Sequence, residues 1–534
     1  MAATTDSTAA LPDITPEAFF AANEAGEKWT VIEGTVYDIS KWFDRHPGGR
    51  RMLSLAVGTD ATANFYCYHP PSVDRLLGSA KVPAVGKFTG KLPTATKMTD
   101  FFKNMRTECW AKLQSIPGFT KQGTKMQAHY KANFVYKYAS RFAFMLVAAY
   151  FQSWILGIVA AYQLAMTGYK GQCALLAHGA SHFYVNSNNF VNTLCLHFFI
   201  PLGTRATEFF TAEHHMHHAF TRVKGLDQQI SVDFPHWMVR LSSFTDSTTL
   251  TRNQRKTAAV LLFFKLFVVD TLYDSFATVY GLVFTDFAAG FSQFMRMAPP
   301  QPRFTSKSKL EGTDLLIGRY TSTYGATVLE GTAYVATYIA SIALSPNCVY
   351  FWMLAFGPAM GLALLAVHNL CYWYRVFMST ADGSVDPVSM SMHLNSRMES
   401  PSLGLYGHSD MITVEEHQAH DWGLQQSINS GNLYGVPPEQ ELGAAWQIEH
   451  HLFPNLSGEW YPYITPIIKR MLEDYTMPDG KKLDYSSLWY TVERECEVAH
   501  KLYAEYANDV AGSRKMLQAK EVNAMGLARD LGLE

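Results

Sequence analysis

The chain has 534 residues, of which 48% are hydrophobic and 17% charged, and its 44 Lys and Arg nearly balance its 46 Asp and Glu. The length allows more than one domain, and the balanced charge argues against nucleic acid as a partner. The low charge content favours membrane-spanning segments. Seven scattered cysteines without a CxxC motif are typical of a reducing compartment. The first 20 residues lack the features of a secretory signal, so we expect a cytosolic N-terminus.

The first part of the chain predicts a small soluble domain of strands and helices over residues 13–90. Its segment WTVIEGTVYDIS alternates around a Gly turn, which is typical of paired strands. A polar segment with Lys and Pro follows, so residues 91–135 are interpreted as a linker. Residues 136–475 predict a helical second domain, and residues 476–534 a soluble helical tail.

Uncharged runs of sequence predict that the second domain is embedded in a membrane. The run 331–374 is broken near its middle by the turn-forming residues 345–347, and about 20 apolar residues cross a bilayer, so it predicts a hairpin of two spans. The run 142–169 predicts further crossing, although the number of spans between 136 and 177 stays open. Charges interrupt the apolar segment 257–292, which therefore predicts an interfacial helix. The expected total is about four transmembrane helices.

Two histidines in the first domain form a candidate haem site. His46 stands in WFDRHPGG and His69 follows the stretch ANFYCY, 23 positions later. Two histidines on opposite faces of a haem leave no open iron position, so such a site passes electrons rather than binding oxygen. The alternative is two ordinary surface histidines with HPGG as a turn. The strand pattern before the first histidine and the second histidine after it favour the haem interpretation.

Three further histidine groups predict a second metal centre. Their members are His178 and His182 in HGASH, His214, His217 and His218 in HHMHH, and His450 and His451 in QIEHH. Spacings of three and four residues place each of the first two groups on one helical face, whereas the adjacent last pair diverges by about 100°. Seven imidazoles are too many for one tetrahedral zinc and favour two irons. Gln447, one turn ahead of His451, could bind a metal or orient a ligand.

Each histidine group also has an ordinary interpretation. A pair spaced like His178 and His182 is more often structural, HHMHH could be a basic surface cluster, and QIEHH could be an interfacial helix. Three such groups beside apolar segments favour a functional metal site.

The motifs VYDISKWFDRHPGG and TDATANFYCYH closely resemble cytochrome b5, and the order HGASH, HHMHH, QIEHHLFP resembles the three histidine boxes of membrane fatty acid desaturases. The Gln-led third box after a cytochrome b5 resembles the front-end desaturases, which insert a double bond between an existing one and the carboxyl end. The resemblance implies an N-terminal α+β cytochrome b5-like domain fused to an all-α integral membrane domain with a cytosolic histidine-rich cap.

The resemblance also implies cofactors, partners and location. The cofactors are haem b at His46 and His69 and two non-haem irons at the seven box histidines, with O2 as co-substrate. The partners are an NADH- or NADPH-dependent cytochrome b5 reductase and a fatty acyl lipid or acyl-CoA. The expected location is the endoplasmic reticulum membrane, with multiple spans and both termini cytosolic.

Some positions match the family pattern weakly or depart from it. His215 fills a variable position of the second box, and Asn432 precedes the third box, so both are weaker candidate ligands. Gly179 stands where front-end enzymes usually have Asp, and only Asp227 represents an acidic motif after the second box. These departures leave the substrate and the position of the new double bond open.

Four other functions compete with an acyl desaturase. A sphingoid-base desaturase and a lipid hydroxylase share the motifs. A non-catalytic haem-binding membrane adaptor would not need the second and third boxes. A carboxylate di-iron protein would need paired Glu-x-x-His motifs, and the sequence has only one, from Glu497 to His500, so that class is rejected.

Overall fold

The structure is a computed structural model. It describes the following residues: 10–166, 176–195, 214–221, 223, 226, 336, 349–381, 412–433, 446–477, 480, 482–485 and 489–490. The predicted turn at 345–347, the predicted interfacial helix at 257–292, Asp227 and most of the predicted tail lie outside the described residues.

A four-stranded sheet organises the N-terminal region, with β1 (Asp13–Ile14) parallel to β4 (Ala84–Phe88) and the order β1-β4-β3-β2. β2 (Trp29–Ile32) and β3 (Thr35–Asp38) form an antiparallel hairpin. The two turn residues between them have φ values of 47° and 74°, which is the left-handed geometry that a tight hairpin with correctly twisted strands requires. The strand pair predicted from WTVIEGTVYDIS is confirmed.

Three helices complete the N-terminal region: α1 (Pro16–Glu24), α2 (Gly49–Ala56) and α3 (Thr62–Tyr68). The Thr62 hydroxyl accepts a hydrogen bond from the Glu33 amide at 2.8 Å, which fixes the start of α3 against the hairpin turn. His69 follows the end of α3, and His46 precedes α2. A short 3-10 helix (Pro71–Leu76) comes next.

Residues 91–135, predicted as a linker, contain the helix α4 (Asp100–Gln114), the short helix α5 (Pro117–Gln122) and the start of α6 (Ala128–Tyr150). The Thr99 hydroxyl accepts from the Phe101 amide and caps α4. Asp421 in turn accepts hydrogen bonds from the Thr99 amide at 2.8 Å and the Thr99 hydroxyl at 2.6 Å. This segment is therefore packed against the C-terminal half of the protein.

An apolar bundle is formed by α6, α7 (Trp154–Met166), α11 (Val349–Phe356) and α12 (Pro358–Ala381). A Cβ at Gly361 would lie 2.5 Å from the Trp352 carbonyl oxygen, so the close packing of α11 and α12 requires glycine there. Among the described residues, no helix combines the length and the apolar composition that crossing a membrane requires. The predicted number of spans is therefore not confirmed.

Short helices carry the remaining histidines and share one core with the N-terminal region. They are α8 (residues 176–181), α9 (Asn189–Cys195), α10 (His214–Ala219), α13 (Val414–Ala419), α14 (Trp422–Asn429), α15 (Gln447–Leu452) and α16 (Tyr461–Asp474), with β5 (Asn432–Leu433) pairing with β6 (Trp489–Tyr490). Buried side chains of α3, such as Tyr66 and Tyr68, belong to the same apolar cluster as Phe102 of α4, Trp422 of α14 and Ile448 of α15.

Candidate metal centre and haem site

Five histidines from all three predicted groups converge at one buried point. Their metal-binding nitrogens all lie within 4.8 Å of one another, and they belong to His178, His182, His214, His218 and His450. The His182 Nε2 atom lies 2.8 Å from the His214 Nε2 and 3.3 Å from the His178 Nε2. The His450 Nε2 lies 3.2 Å from the His178 Nε2. Nitrogen lone pairs gathered this closely are the donor set that a transition metal needs.

His217 and His451 form a second, adjoining pair. Their ring centroids are 5.1 Å apart. The ring of His218 stands between the two groups, 4.6 Å from the ring of His450 and 4.5 Å from that of His451. The adjacent histidines of α15 therefore face different parts of the cluster, as their divergence on a helix predicts.

Burial keeps the clustered imidazoles uncharged. Burial lowers the pKa of His178 to about 3, with the neighbouring histidines adding to the effect. The pKa values of His182, His214, His218, His450 and His451 also lie well below the ordinary value for the same reason. A neutral imidazole is the form that binds a metal, so the cluster does not have to lose protons at neutral pH to do so.

Neighbouring polar groups hold the outer nitrogens of three of these rings. The Nδ1 atom of His182 lies 2.8 Å from the Tyr68 hydroxyl, that of His450 lies 3.2 Å from the Tyr461 hydroxyl, and that of His451 lies 3.2 Å from the Gln426 amide oxygen. An outer hydrogen bond of this kind fixes the ring orientation of a metal ligand and selects its tautomer. The residues present therefore fit a metal site.

Three weaker candidates lie beside the cluster in different roles. Gln447 is buried at the first position of α15. The Asn432 Oδ1 atom accepts a hydrogen bond from the Ile448 amide at 2.8 Å, and its Nδ2 donates to Glu449 at 2.8 Å. The ring of His215 lies 5.3 Å from that of Tyr68. Asn432 thus orients α15, the helix of the third box, because it accepts a hydrogen bond from the Ile448 amide and donates one to the Glu449 carboxylate.

Glu449, inside the QIEHH motif, is a fully buried carboxylate that the sequence analysis did not single out. Its oxygens accept hydrogen bonds from Asn432 at 2.8 Å, from the Thr465 hydroxyl at 2.7 Å and from the Tyr485 hydroxyl at 2.7 Å. Burial raises the pKa of this carboxyl while the three donors oppose the shift. Its position in the sequence, between Gln447 and the two box histidines, could have indicated this structural role, because a carboxylate on a buried helix needs hydrogen-bond partners.

The N-terminal histidine pair forms a separate site. The rings of His46 and His69 lie edge to face, with 5.8 Å between their centroids and 73° between their planes. Metal–imidazole nitrogen bonds are about 2.0 to 2.1 Å long, so one ion between the rings could reach both. The His69 Nδ1 lies 2.8 Å from the Phe65 carbonyl oxygen and can donate to it, which leaves Nε2 for a metal. A Cβ at Gly48 would lie 2.9 Å from the His46 ring, which explains a glycine in HPGG.

Comparisons with known families agree with these two sites. Residues 15–103 match the family model described as cytochrome b5-like haem/steroid binding domain, and residues 152–482 match that described as fatty acid desaturase. The second match covers more than half of the chain. The protein belongs to the fatty acid desaturase family, and it carries a cytochrome b5-like domain at its N-terminal side.

The chain is similar to curated relatives over most of its length. It is 24% identical to the "Probable Delta(5) fatty acid desaturase C" of Dictyostelium discoideum, over 84% of this chain and 86% of the relative. It is 25% identical to the "Acyl-lipid (8-3)-desaturase" of Mortierella alpina, over 86% of this chain and 91% of the relative. No solved structure matches the chain.

These matches confirm the resemblance predicted from the histidine boxes and from HPGG. The protein is an oxidoreductase of the front-end fatty acid desaturase type, with the predicted cytochrome b5 fusion. A helical desaturase region and an N-terminal region with a small sheet are likewise confirmed.

Proposed function

We propose that this desaturase binds two irons through its seven box histidines and inserts a double bond on the carboxyl side of an existing one in a polyunsaturated fatty acyl chain. The observation that carries the proposal is the convergence of five buried histidines from three distant segments within 4.8 Å. One iron would bind within this group, and the second beside His217 and His451, with His218 between the two. His215 and Asn432 support the cluster from outside, and Gln447 is a further candidate ligand.

The chemistry of the reaction explains why a metal is needed. When bound, two irons and O2 supply the oxidising power to remove hydrogen from two adjacent methylenes, which have no acidic proton for a side chain to take. The protein's own residues keep the site buried and neutral. Tyr68, Tyr461 and Gln426 hold the outer nitrogens so that the inner nitrogens face one another.

The N-terminal domain supplies electrons in this proposal. Haem b would lie between His46 and His69, and an NADH- or NADPH-dependent cytochrome b5 reductase would reduce it. A site with two histidine ligands suits this task because it leaves no position on the iron for O2.

The apolar bundle supports a membrane location. Large apolar side chains are exposed on α6, α7 and α11, among them Leu146, Tyr150, Phe151, Trp154, Ile155 and Leu354. Many large apolar side chains exposed on neighbouring helices are typical of contact with a membrane or a partner. We place the protein in the endoplasmic reticulum membrane as a multi-pass protein, with the haem domain, the histidine cluster and both termini on the cytosolic side.

The substrate is proposed from the relatives together with the site. The two relatives named above are called a Delta(5) and an (8-3) desaturase. We propose the same front-end type of reaction here, on a fatty acyl group carried by a lipid or by CoA.

The test is to express the chain in a host without front-end desaturases, feed a panel of isotope-labelled polyunsaturated fatty acids, and locate new double bonds by mass spectrometry. We expect a labelled product with one extra double bond nearer the carboxyl end. The His450→Ala variant is the matched control and should give none. A hydroxylated acyl product, or a new double bond only in sphingoid bases, would contradict the proposal.

A further inference from the structure

Tyr68 connects the haem site with the histidine cluster. It is the last residue of α3 and directly precedes the haem-site residue His69. Its hydroxyl lies 2.8 Å from the Nδ1 atom of His182, whose Nε2 faces the centre of the cluster. Its ring stacks on that of His182 with 6.1 Å between centroids. One side chain therefore touches a metal-site histidine and is bonded through its backbone to a haem-site histidine.

Side chains from outside the haem domain hold the backbone at this point. The Asn455 amide, just after the third box, donates to the Tyr68 carbonyl oxygen at 2.6 Å. Arg106 of α4 donates from Nε to the His69 carbonyl oxygen at 2.9 Å. The Arg106 guanidinium is only 2% exposed and makes two further hydrogen bonds, at 2.9 and 2.7 Å, to the carboxylate of Asp74. Both peptide groups that flank the haem-site histidine are thus held by side chains from outside the haem domain, and one of these, Asn455, belongs to the desaturase region.

The packing around Tyr68 excludes solvent. Tyr68 is 9% exposed and belongs to the same apolar cluster as residues of α4, α14, α15 and α16. A buried contact of this kind does not exchange its partner for water, so the short path between the two histidines is built into the fold.

We propose that Tyr68 is the electron route from the haem to the metal cluster, and that it works because the haem domain stays docked on the cluster. The inference rests on the proposed function, since it takes haem at His46 and His69 and iron at the boxes. The path runs from the His69 side chain along the backbone to Tyr68, through its ring, and across one hydrogen bond to His182. In each transfer one ferrous haem becomes ferric and one ferric iron of the cluster becomes ferrous. One electron moves, no bond forms or breaks, and the reductase replaces the electron in the haem.

The geometry also sets the direction of the hydrogen bond. If the His182 Nε2 binds a metal, the neutral ring carries its proton on Nδ1 and donates it to the Tyr68 hydroxyl oxygen. Tyr68 is then a positioning residue as well, because it fixes the tautomer of His182. The Tyr68→Phe change removes this hydrogen bond and keeps the aromatic ring.

The experiment measures electron transfer without substrate. The full chain, loaded with haem and ferric iron, is kept free of oxygen, and its haem is reduced by a light pulse with an added flavin. Reoxidation of the haem by the cluster is then followed by its absorption. We expect Tyr68→Phe to slow this step by about 10- to 100-fold, which is the loss in activity typical when the hydrogen-bond partner of a metal ligand is removed. The haem spectrum, haem midpoint potential and iron content should stay unchanged.

Tyr66→Phe is the matched control. It makes the same change two residues earlier on α3, where the hydroxyl donates to Glu33 at 2.6 Å, away from the cluster. Its transfer rate should equal that of the unchanged chain. An unchanged rate in Tyr68→Phe would overturn the route, as would a loss of haem or iron that accounts for the slower rate. If the unchanged chain binds no iron, or never reoxidises its haem, the proposed function fails instead.

Discussion

Single hydrogen bonds decide which nitrogen each buried imidazole offers to a metal. The Gln426 amide oxygen can only accept, so the nearby Nδ1 of His451 must carry a proton for the two to bond at 3.2 Å. The Thr221 hydroxyl donates to the same oxygen at 2.9 Å and so holds it in place. The Nε2 of His451 is thereby left as the metal-facing atom. The box histidines and the haem histidines form different sites. Removing a box histidine should therefore affect iron binding, and removing a haem histidine should affect haem binding.

His450→Ala or His217→Ala should abolish desaturation, because each removes an imidazole that we assign to the iron site. The haem spectrum should stay normal, since His46 and His69, the two residues assigned to the haem, are unchanged. Product analysis and iron content in the purified protein check this outcome.

The reciprocal variant, His69→Ala, should lose haem and retain iron, because one imidazole cannot hold a site that depends on two. For the two box variants, full activity in His450→Ala or His217→Ala would show that the assignment of that histidine as an iron ligand is wrong.

The histidines could be predicted from the sequence, but their supporting residues could not. A spacing of four residues places His214 and His218 on one face of any helix that contains them both. Tyr68 and Tyr461 meet the cluster only because distant segments fold together, and no local pattern marks such contacts. The Tyr68 hydroxyl reaches a ring 114 positions away.

The helices that carry the boxes are too short to be stable alone. α10 and α15 have six residues each, and isolated helices need about 12 to 15 residues to be even marginally stable in water. Tertiary contacts must therefore maintain them. For α15 these contacts include the three hydrogen bonds to Glu449 and the capping of the Ile448 amide by Asn432.

Glu449→Leu should destabilise the protein and release iron. It removes the carboxylate that accepts from Asn432, Thr465 and Tyr485, and a buried donor left unsatisfied costs about 1–3 kcal/mol. Thermal unfolding and iron analysis measure the effect.

Glu108→Gln is the control for this prediction. It removes a half-exposed carboxylate that pairs with Arg470 at the surface, and such a pair contributes only about 0–1 kcal/mol. Equal melting temperatures for the two variants would show that the buried carboxylate does not support α15.

Residues 91–135, predicted as a linker, carry the sequence pattern of a helix at α4. Phe102, Met105, Cys109 and Leu113 recur at helical spacing and are fully buried in α4. Thr99 supplies the N-cap. The residues between these positions are mostly basic or polar because one face of α4 remains exposed. Their number makes the apolar helical spacing hard to recognise in the sequence. The packing of α4 against α14 and α16 could not be read from this periodicity, since it depends on residues more than 300 positions later.

At the scale of the whole molecule, electron delivery over a short contact requires the haem site and the histidine cluster to lie on one side of the membrane. Hydrocarbon about 30 Å thick would separate them otherwise. If the run 331–374 crosses the membrane twice, as predicted from the sequence, it would return the chain to its starting side between the second and third boxes. The turn at 345–347 should therefore face the lumen.

Cysteine labelling with an impermeant reagent tests this topology. In a background in which the seven native cysteines, including the adjacent Cys348, are replaced by Ser, a cysteine replacing Asn347 should react only from the lumenal side, and one replacing Gly480 only from the cytosolic side, in sealed vesicles of each orientation. Gly480 has a φ of 83°, so the variant should first be checked for normal haem content. Labelling of both positions from the same side would contradict the hairpin.

The hydrogen bond from Asn455 to the Tyr68 carbonyl sets an order for biosynthesis. The two residues are 387 positions apart, and ribosomes add about 5–20 residues per second, so Tyr68 waits about 20 to 80 s for its partner. During that interval Tyr68 lacks its partner Asn455, whereas the haem histidines are already synthesised. The third histidine box emerges just before Asn455. The histidines that complete the cluster and the asparagine that holds the haem domain against it are therefore synthesised at nearly the same time.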